Sequence, residues 1–200
     1  MSANIGIVDY GAGNLFSLRA ALSRNRLQHG MVRYAEDIKQ FDRLIIPGVG
    51  HAGTAMQKLQ KTTLISEILA FQRPVLGICL GMQLLCARSE EAPQKDLLNI
   101  LPLQTKRFPK GRMEKVPHMG WNQIHIEQEL GLLKNIPNKT YFYFVHSFYM
   151  EYSSIFTAAS CRYGIPFSAV VHKDQFTGVQ FHPEKSGKIG EQLLINFSNI

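Results

Sequence analysis

Apolar and polar positions repeat with two different periods along this chain. In the first half, short apolar runs are followed by stretches with an apolar residue every three or four positions. NIGIVD (4–9) reads as a strand ended by Tyr10 and a glycine-rich turn, and NLFSLRAALSR (14–24) as a helix that Asn14 is placed to cap. MVRY (31–34) is a short strand, and RLIIPGVG (43–50) a strand entering another glycine-rich turn. TAMQKLQ (54–60) and LISEILAF (64–71) have helical spacing, PVLGI (74–78) is a strand, and LGMQLLCA (80–87) is a helix containing Cys86. Strands alternating with helices predict a parallel sheet covered on both faces.

The pattern then changes. WNQIHI (121–126), YFYFVHSFYM (141–150), IFTAASCRY (155–163), FSAVVHK (167–173) and FTGVQF (176–181) are strands without long helices between them. They predict an antiparallel or mixed extension of the same sheet, closed by a last helix over 187–197. The fold expected is a single α/β domain over residues 1–200: an open, mixed, mainly parallel sheet flanked by helices, with a β-rich second half.

Composition adds limits. The 200 residues, 45% hydrophobic and 18% charged, suffice for one substantial core, and no repeat or low-complexity tract interrupts them. No apolar run reaches the length of a membrane span, and the N-terminus reads as an immediate strand rather than an export signal. Neither membrane association nor export is expected, and the expected compartment is the cytoplasm. Three cysteines, Cys79, Cys86 and Cys161, form no C-x-x-C pair, which argues against both a disulfide framework and a structural zinc site. Cys161 reads as a structural residue that follows a strand. The net charge is +7. Its densest basic stretch, KRFPKGRMEK (106–115), carries Pro109 and Gly111 and reads as a solvated loop, with docking to a protein partner the next reading. No helix-turn-helix or RNA-binding signature accompanies it, so nucleic acid is not expected.

One stretch carries chemistry. GICLGMQ (77–83) places Cys79 between Gly77 and Gly81 where a strand gives way to a helix, the sulfur form of a nucleophile elbow. Such a turn crowds the positions two before and two after the nucleophile. It also sets the sulfur at a helix start, where unpaired N–H groups favour thiolate. The competing reading is a buried, inert cysteine, the reading that fits Cys86. A nucleophile needs a base, and the base needs an orienter. Of seven histidines, only His182 has a carboxylate at a telling offset, in GVQFHPEKSG (178–187). Glu184, two residues on, points the same way in an extended segment and can hold one ring nitrogen while the other faces Cys79. Pro47-Gly48-Val49-Gly50 also follows a strand. Its backbone N–H groups, with that of Leu80, could hold a developing oxyanion.

GICLGMQ together with GVQFHPEKSG resembles the class I (triad) glutamine amidotransferases. DYGAGNL (9–15), PGVG (47–50) followed by TAM (54–56), PHMGWN (117–122) and YFYFVHSFY (141–149) narrow the resemblance, which runs over essentially the whole chain. The narrower family is the glutaminase subunits of imidazole glycerol phosphate synthase. That resemblance implies a flavodoxin-like sheet and a Cys79–His182–Glu184 triad that hydrolyses L-glutamine through a thioester. It implies oxyanion donors at Gly50 and Leu80, and glutamine contacts from Gln83, Glu91, Ser147 and Phe148. It also implies a face made by Asn14, His118, Trp121, Tyr143 and Lys185 toward a (β/α)8 cyclase subunit. That heterodimer partner would take the ammonia to make imidazole glycerol phosphate and aminoimidazole carboxamide ribotide in histidine biosynthesis. No cofactor and no metal is implied. Similar subunits are nearly idle alone, which makes the PGVG turn a switch: an assembled triad beside an unmade oxyanion hole. Rival readings are an amidotransferase of the same fold serving another synthase, such as one modifying surface-polysaccharide sugars; a stand-alone γ-glutamyl hydrolase; and a non-catalytic binding protein, which the intact Cys79, His182 and Glu184 oppose.

Overall fold

The computed structural model describes residues 3–11, 13–109, 111 and 115–200. Among parallel strands β1 (Ile5–Val8), β2 (His29–Val32), β3 (Arg43–Ile46) and β4 (Val75–Ile78), helix α1 (Leu15–Arg24) joins β1 to β2, a 3-10 turn (Ala35–Gln40) joins β2 to β3, and helices α2 (Ala52–Gln60) and α3 (Leu64–Ala70) both lie between β3 and β4. A short helix α4 (Leu80–Leu84) follows β4 directly. Then come β5 (Cys86–Ser89), β6 (Leu101–Arg107), β7 (His118–Ile126), β8 (Tyr141–His146), β9 (Phe148–Met150), β10 (Thr157–Tyr163), β11 (Ile165–Lys173) and β12 (Phe176–Val179). Helix α5 (Gly187–Asn199) closes the chain.

The described strands form one mixed sheet in the order β2-β1-β3-β4-β12-β11-β10-β7-β8, with β9, β6 and β5 branching from β11. Strands β2, β1, β3, β4 and β12 run parallel, so their carboxyl ends share one edge. Beyond β12 the neighbours along this order are antiparallel, and in the branch β5 pairs with β6 in parallel. The two faces are buried separately, as period-two alternation requires. Ile45 of β3 packs in the layer of Leu18, Leu22 and Leu193 from α1 and α5. Its neighbours Leu44 and Ile46 pack with Met56, Leu59 and Ile68 from α2 and α3. The expected α/β architecture with covered faces is present.

Several boundaries differ from expectation. The helix after Cys79 stops at Leu84, and Cys86 lies in β5, not in that helix. The cause is competition for carbonyls: Leu98 N–H donates to Leu84 O, and Ile100 N–H to Leu85 O, each at 3.0 Å. A run buried on every side also gives no period to mark its end. Cys86 is core, as expected. Cys161 sits inside β10, paired with Phe167, rather than after a strand. The run 141–150 is two strands, because the chain leaves β7 at His146 and pairs with β6 and β11 from Phe148. Strand β6 was not expected. It takes Lys106 and Arg107 out of the basic loop, whose residues 110 and 112–114 lie outside the described residues. Among the described residues no helix is long and apolar enough to cross a membrane.

Candidate active site

The carboxyl edge of the parallel strands gathers the predicted residues, where open α/β sheets place their ligand sites. Cys79 follows β4 and caps α4 with φ +52° and ψ −107°, a conformation that favours glycine and costs about 1–3 kcal/mol for a residue with a side chain. The turn persists because it is tied on both sides. Cys79 N–H donates to Val179 O at 2.8 Å, and Gln83 N–H to Cys79 O at 3.1 Å. The two glycines are needed for packing. A Cβ on Gly77 would meet the Gly81 carbonyl at 2.7 Å, and one on Gly81 would overlap the Ile46 carbonyl oxygen.

His182 stands beyond the end of β12, its Nδ1 2.8 Å from Glu184 Oε1, with both side chains buried. Ser186 fixes this turn: its hydroxyl donates to His182 O at 2.7 Å and accepts from Tyr143 N–H at 3.0 Å. His182 Nε2 is buried and has no hydrogen-bond partner among the described residues, and Cys79 is the group that acts most on its charge. Burial alone would lower the imidazole's pKa. Interaction with Cys79 and, after it, the hydrogen bond to Glu184 overcome this and push it up to about 10. A raised pKa means imidazolium persists across the neutral range. In 15N-histidine NMR, His182 should titrate only toward about pH 10, and in Cys79→Ser it should fall, because the largest raising cause is gone and burial remains. A midpoint unchanged by Cys79→Ser would exclude the thiolate–imidazolium pair.

The PGVG turn lies against the elbow. Leu80 N–H, one expected oxyanion donor, points at Gly48 O at 3.4 Å. Tyr10, buried, donates its hydroxyl to Pro47 O at 2.7 Å and holds the start of the turn. Gly50 has φ +106°, open to few residues but glycine. In this state the Leu80 N–H is engaged by protein.

A pocket of about 490 Å³ opens on Cys79, and Gly50, Leu80, Gln83, Glu91, Ser147 and Phe148 also line it. Glu91 Oε2 accepts from Ala52 N–H at 2.6 Å, which pins the carboxylate to the start of α2. Gln83 gives both amide hydrogens away, to Phe148 O at 3.0 Å and Gln180 Oε1 at 3.1 Å, leaving its Oε1 as the atom to offer the pocket. Phe108 N–H donates to Ser147 O. The alternation of an antiparallel ladder then turns both Phe148 backbone groups away from β6.

Around the pocket, Asn14 caps α1, accepting from Ser17 N–H, and lines the mouth together with Lys185. The Lys185 ammonium lies 5.9 Å from the Tyr143 ring centre, and Trp121 meets the same ring edge-on. Trp121 is 56% exposed, and Met119 and Tyr141 share its outward face of β7 and β8. Exposed apolar side chains are thus concentrated on this face. His118 is not on that face. It is buried beneath it, Nδ1 to His146 Nε2 at 3.0 Å, and burial pushes its pKa down to about 4. The sequence reading missed Met119, Phe16 (83% exposed, two residues after Asn14) and Gln180, whose amide nitrogen is 3.6 Å from Cys79 Sγ. Alternation along β7 could have given Met119, since it shares a face with Trp121.

The sequence profile described as glutamine amidotransferase class-I matches residues 6–199. Among curated proteins, the chain is 46% identical over 194 residues to imidazole glycerol phosphate synthase subunit HisH of Salmonella typhimurium, covering 97% of this chain and 98% of the relative. It is also 46% identical over 197 residues to the HisH subunit of Bacteroides thetaiotaomicron, covering 98% and 99%. Among solved structures, PurLQS from Thermotoga maritima superposes with a TM-score of 0.75 at 17% identity, covering 100% of this chain and 99% of that one. At that identity the likeness shows the fold.

Proposed function

The chain belongs to the class-I glutamine amidotransferases and, within them, to the glutaminase subunits of imidazole glycerol phosphate synthase, and on that premise we propose how its own residues carry out the reaction. The observation that carries the reading is the strained Cys79 turn opening on the pocket, with a buried His182 held by Glu184.

Cys79 Sγ attacks the side-chain carboxamide carbon of glutamine, forming a C–S bond and a tetrahedral oxyanion. N–H groups of Gly50 and Leu80 receive the oxyanion, His182 gives its proton to the departing nitrogen, and the C–N bond breaks to release ammonia. Water, losing a proton to His182, then attacks the thioester carbon, and thiolate leaves to give glutamate. Glu184 stabilises the imidazolium throughout, as a triad acid does. Glu91 suits the substrate's α-ammonium. The Gln83 carbonyl is a second acceptor, and the backbone at Ser147 and Phe148 suits the α-carboxylate end. Ammonia leaves past Asn14, Tyr143 and Lys185 into the (β/α)8 cyclase, which docks over Trp121 and uses it to make the imidazole product in histidine biosynthesis.

The contact from Leu80 N–H to Gly48 O supports a gated site, in which the PGVG turn must move before the oxyanion hole is made. Glutamate release by the chain alone should rise on adding the cyclase and its ribotide ligand by on the order of 10²–10³-fold, the cost of one missing oxyanion donor. Equal turnover with and without the partner would make this an independent glutaminase and remove the gate.

A further inference from the structure

Among the described residues, Cys79 Sγ has one polar side chain on it outside the triad that the mechanism above does not use. Gln180 follows β12, is fully buried, and places Nε2 3.6 Å from the sulfur. An amide can present either end, and what it does to a sulfur depends on which. Here the end is fixed by a chain of hydrogen bonds that allows one direction only.

The chain starts at Phe148 O, which can only accept. Gln83 meets that oxygen at 3.0 Å, so the Gln83 group there is its amide nitrogen. The second hydrogen of that nitrogen points at Gln180, 3.1 Å away, so Gln180 must answer with its carbonyl oxygen. Its NH₂ is thereby turned to Cys79. The anchor is also held from the other side: His146 Nδ1 lies 2.7 Å from Phe148 O and must donate. His146 Nε2 is then an acceptor, so His118 donates from Nδ1 at 3.0 Å, and His118 Nε2 accepts from Asn122 Nδ2 at 3.2 Å. Both imidazoles are neutral, as this direction requires, with burial pushing them down to about 4 and about 3. Phe148 O thus receives two N–H groups and has no free lone pair with which to turn.

We propose that Gln180 is a dedicated N–H donor to the Cys79 sulfur, held in its donating direction by Gln83 and the Phe148 carbonyl, and that it stabilises and aims the thiolate for attack. A hydrogen bond to the charged form of a group favours that form, and in a buried site it is stronger than in water. The donor directly follows β12 and the His182 turn continues the same segment, so one stretch of chain brings two groups to the sulfur. Gln83 gains a second task. Besides lining the pocket, it sets the orientation of a group it touches on the side away from the substrate. This inference rests on Cys79 being the nucleophile, and its test has one arm that needs no turnover.

In that arm, the free chain is treated with iodoacetamide at neutral pH, and labelling of the Cys79 peptide is followed by mass spectrometry. Gln180→Met keeps the side-chain length without a donor. It should slow labelling about 10-fold, the effect of one hydrogen bond to a charged group. Gln180→Glu keeps the acceptor for Gln83 but sets a carboxylate oxygen against the sulfur, and should slow labelling further. In the second arm, with the cyclase and its ligand present, Gln180→Met should lower kcat for glutamine by a similar factor while KM stays within about two-fold, since the lost contact is to the nucleophile. A packing role would instead disturb the Phe148 segment and raise KM. Wild-type labelling rates in either folded variant, judged by an unchanged thermal midpoint, would overturn the proposal. Slow labelling in the variants of a chain that never turns over glutamine would leave the donor in place and sink the glutaminase reading instead.

Discussion

Cys79→Ala should abolish glutamate release in the complex, by on the order of 10⁶-fold, the scale on which loss of a nucleophile acts when the rest of a triad remains. The argument is geometric. Cys79 is the one cysteine that lines the pocket, at a turn whose backbone is held on both sides. The other two cannot substitute for it. Cys86 and Cys161 are buried in strands, and burial pushes both thiols up, Cys161 to about 12. The variant should stay folded, since alanine meets the same φ +52° with a side chain no larger. Glutamate release measured beside a thermal unfolding curve separates lost chemistry from lost structure. Activity within ten-fold of wild type would remove Cys79 from the mechanism.

The second large effect is expected at Glu184. Its Oε1 accepts from His182 Nδ1, and neither group faces the open pocket. Glu184→Gln keeps the shape, but its amide can turn an N–H toward Nδ1 and favour the wrong tautomer. It also removes a charge that raises the imidazole's pKa. A fall in kcat of roughly 10³–10⁴-fold follows, by analogy with the orienting acid of other triads. KM for glutamine should change little. A rise in KM with kcat preserved would mean that Glu184 shapes the pocket rather than the base.

The parallel half of the fold was legible because β1, β3 and β4 run into glycine turns and the helices show their period. Asn14 as a cap is an example: the side chain does accept from Ser17 N–H. The second half was harder for physical reasons. Strand β6, LPLQTKR, mixes proline and cations and is a strand only because β5 and β9 flank it. The division between β8 and β9 is a change of partner, which no local pattern announces. In the site, the elbow at Cys79 and PGVG stand out in the sequence because strained turns demand glycines at fixed offsets, and the His182–Glu184 contact follows from their two-residue spacing. His118 and Trp121, expected at the subunit interface and the mouth of the ammonia passage, stand three positions apart in a strand and so point opposite ways, and the structure buries His118 while exposing Trp121. Gln180 was invisible for another reason: its partners, Gln83 and Cys79, come from a different part of the chain and meet it only once β4 and β12 pair.

The central claim is that one cysteine of three takes the glutamyl group. A glutamine analogue carrying an electrophilic γ-diazoketone, given to the complex with cyclase and ribotide ligand, tests it directly when the labelled peptides are mapped. The account predicts label on Cys79 alone, at a rate matching the loss of glutaminase activity, with protection by glutamine. Activity lost with Cys79 unlabelled, or label on Cys86 or Cys161 instead, would contradict it.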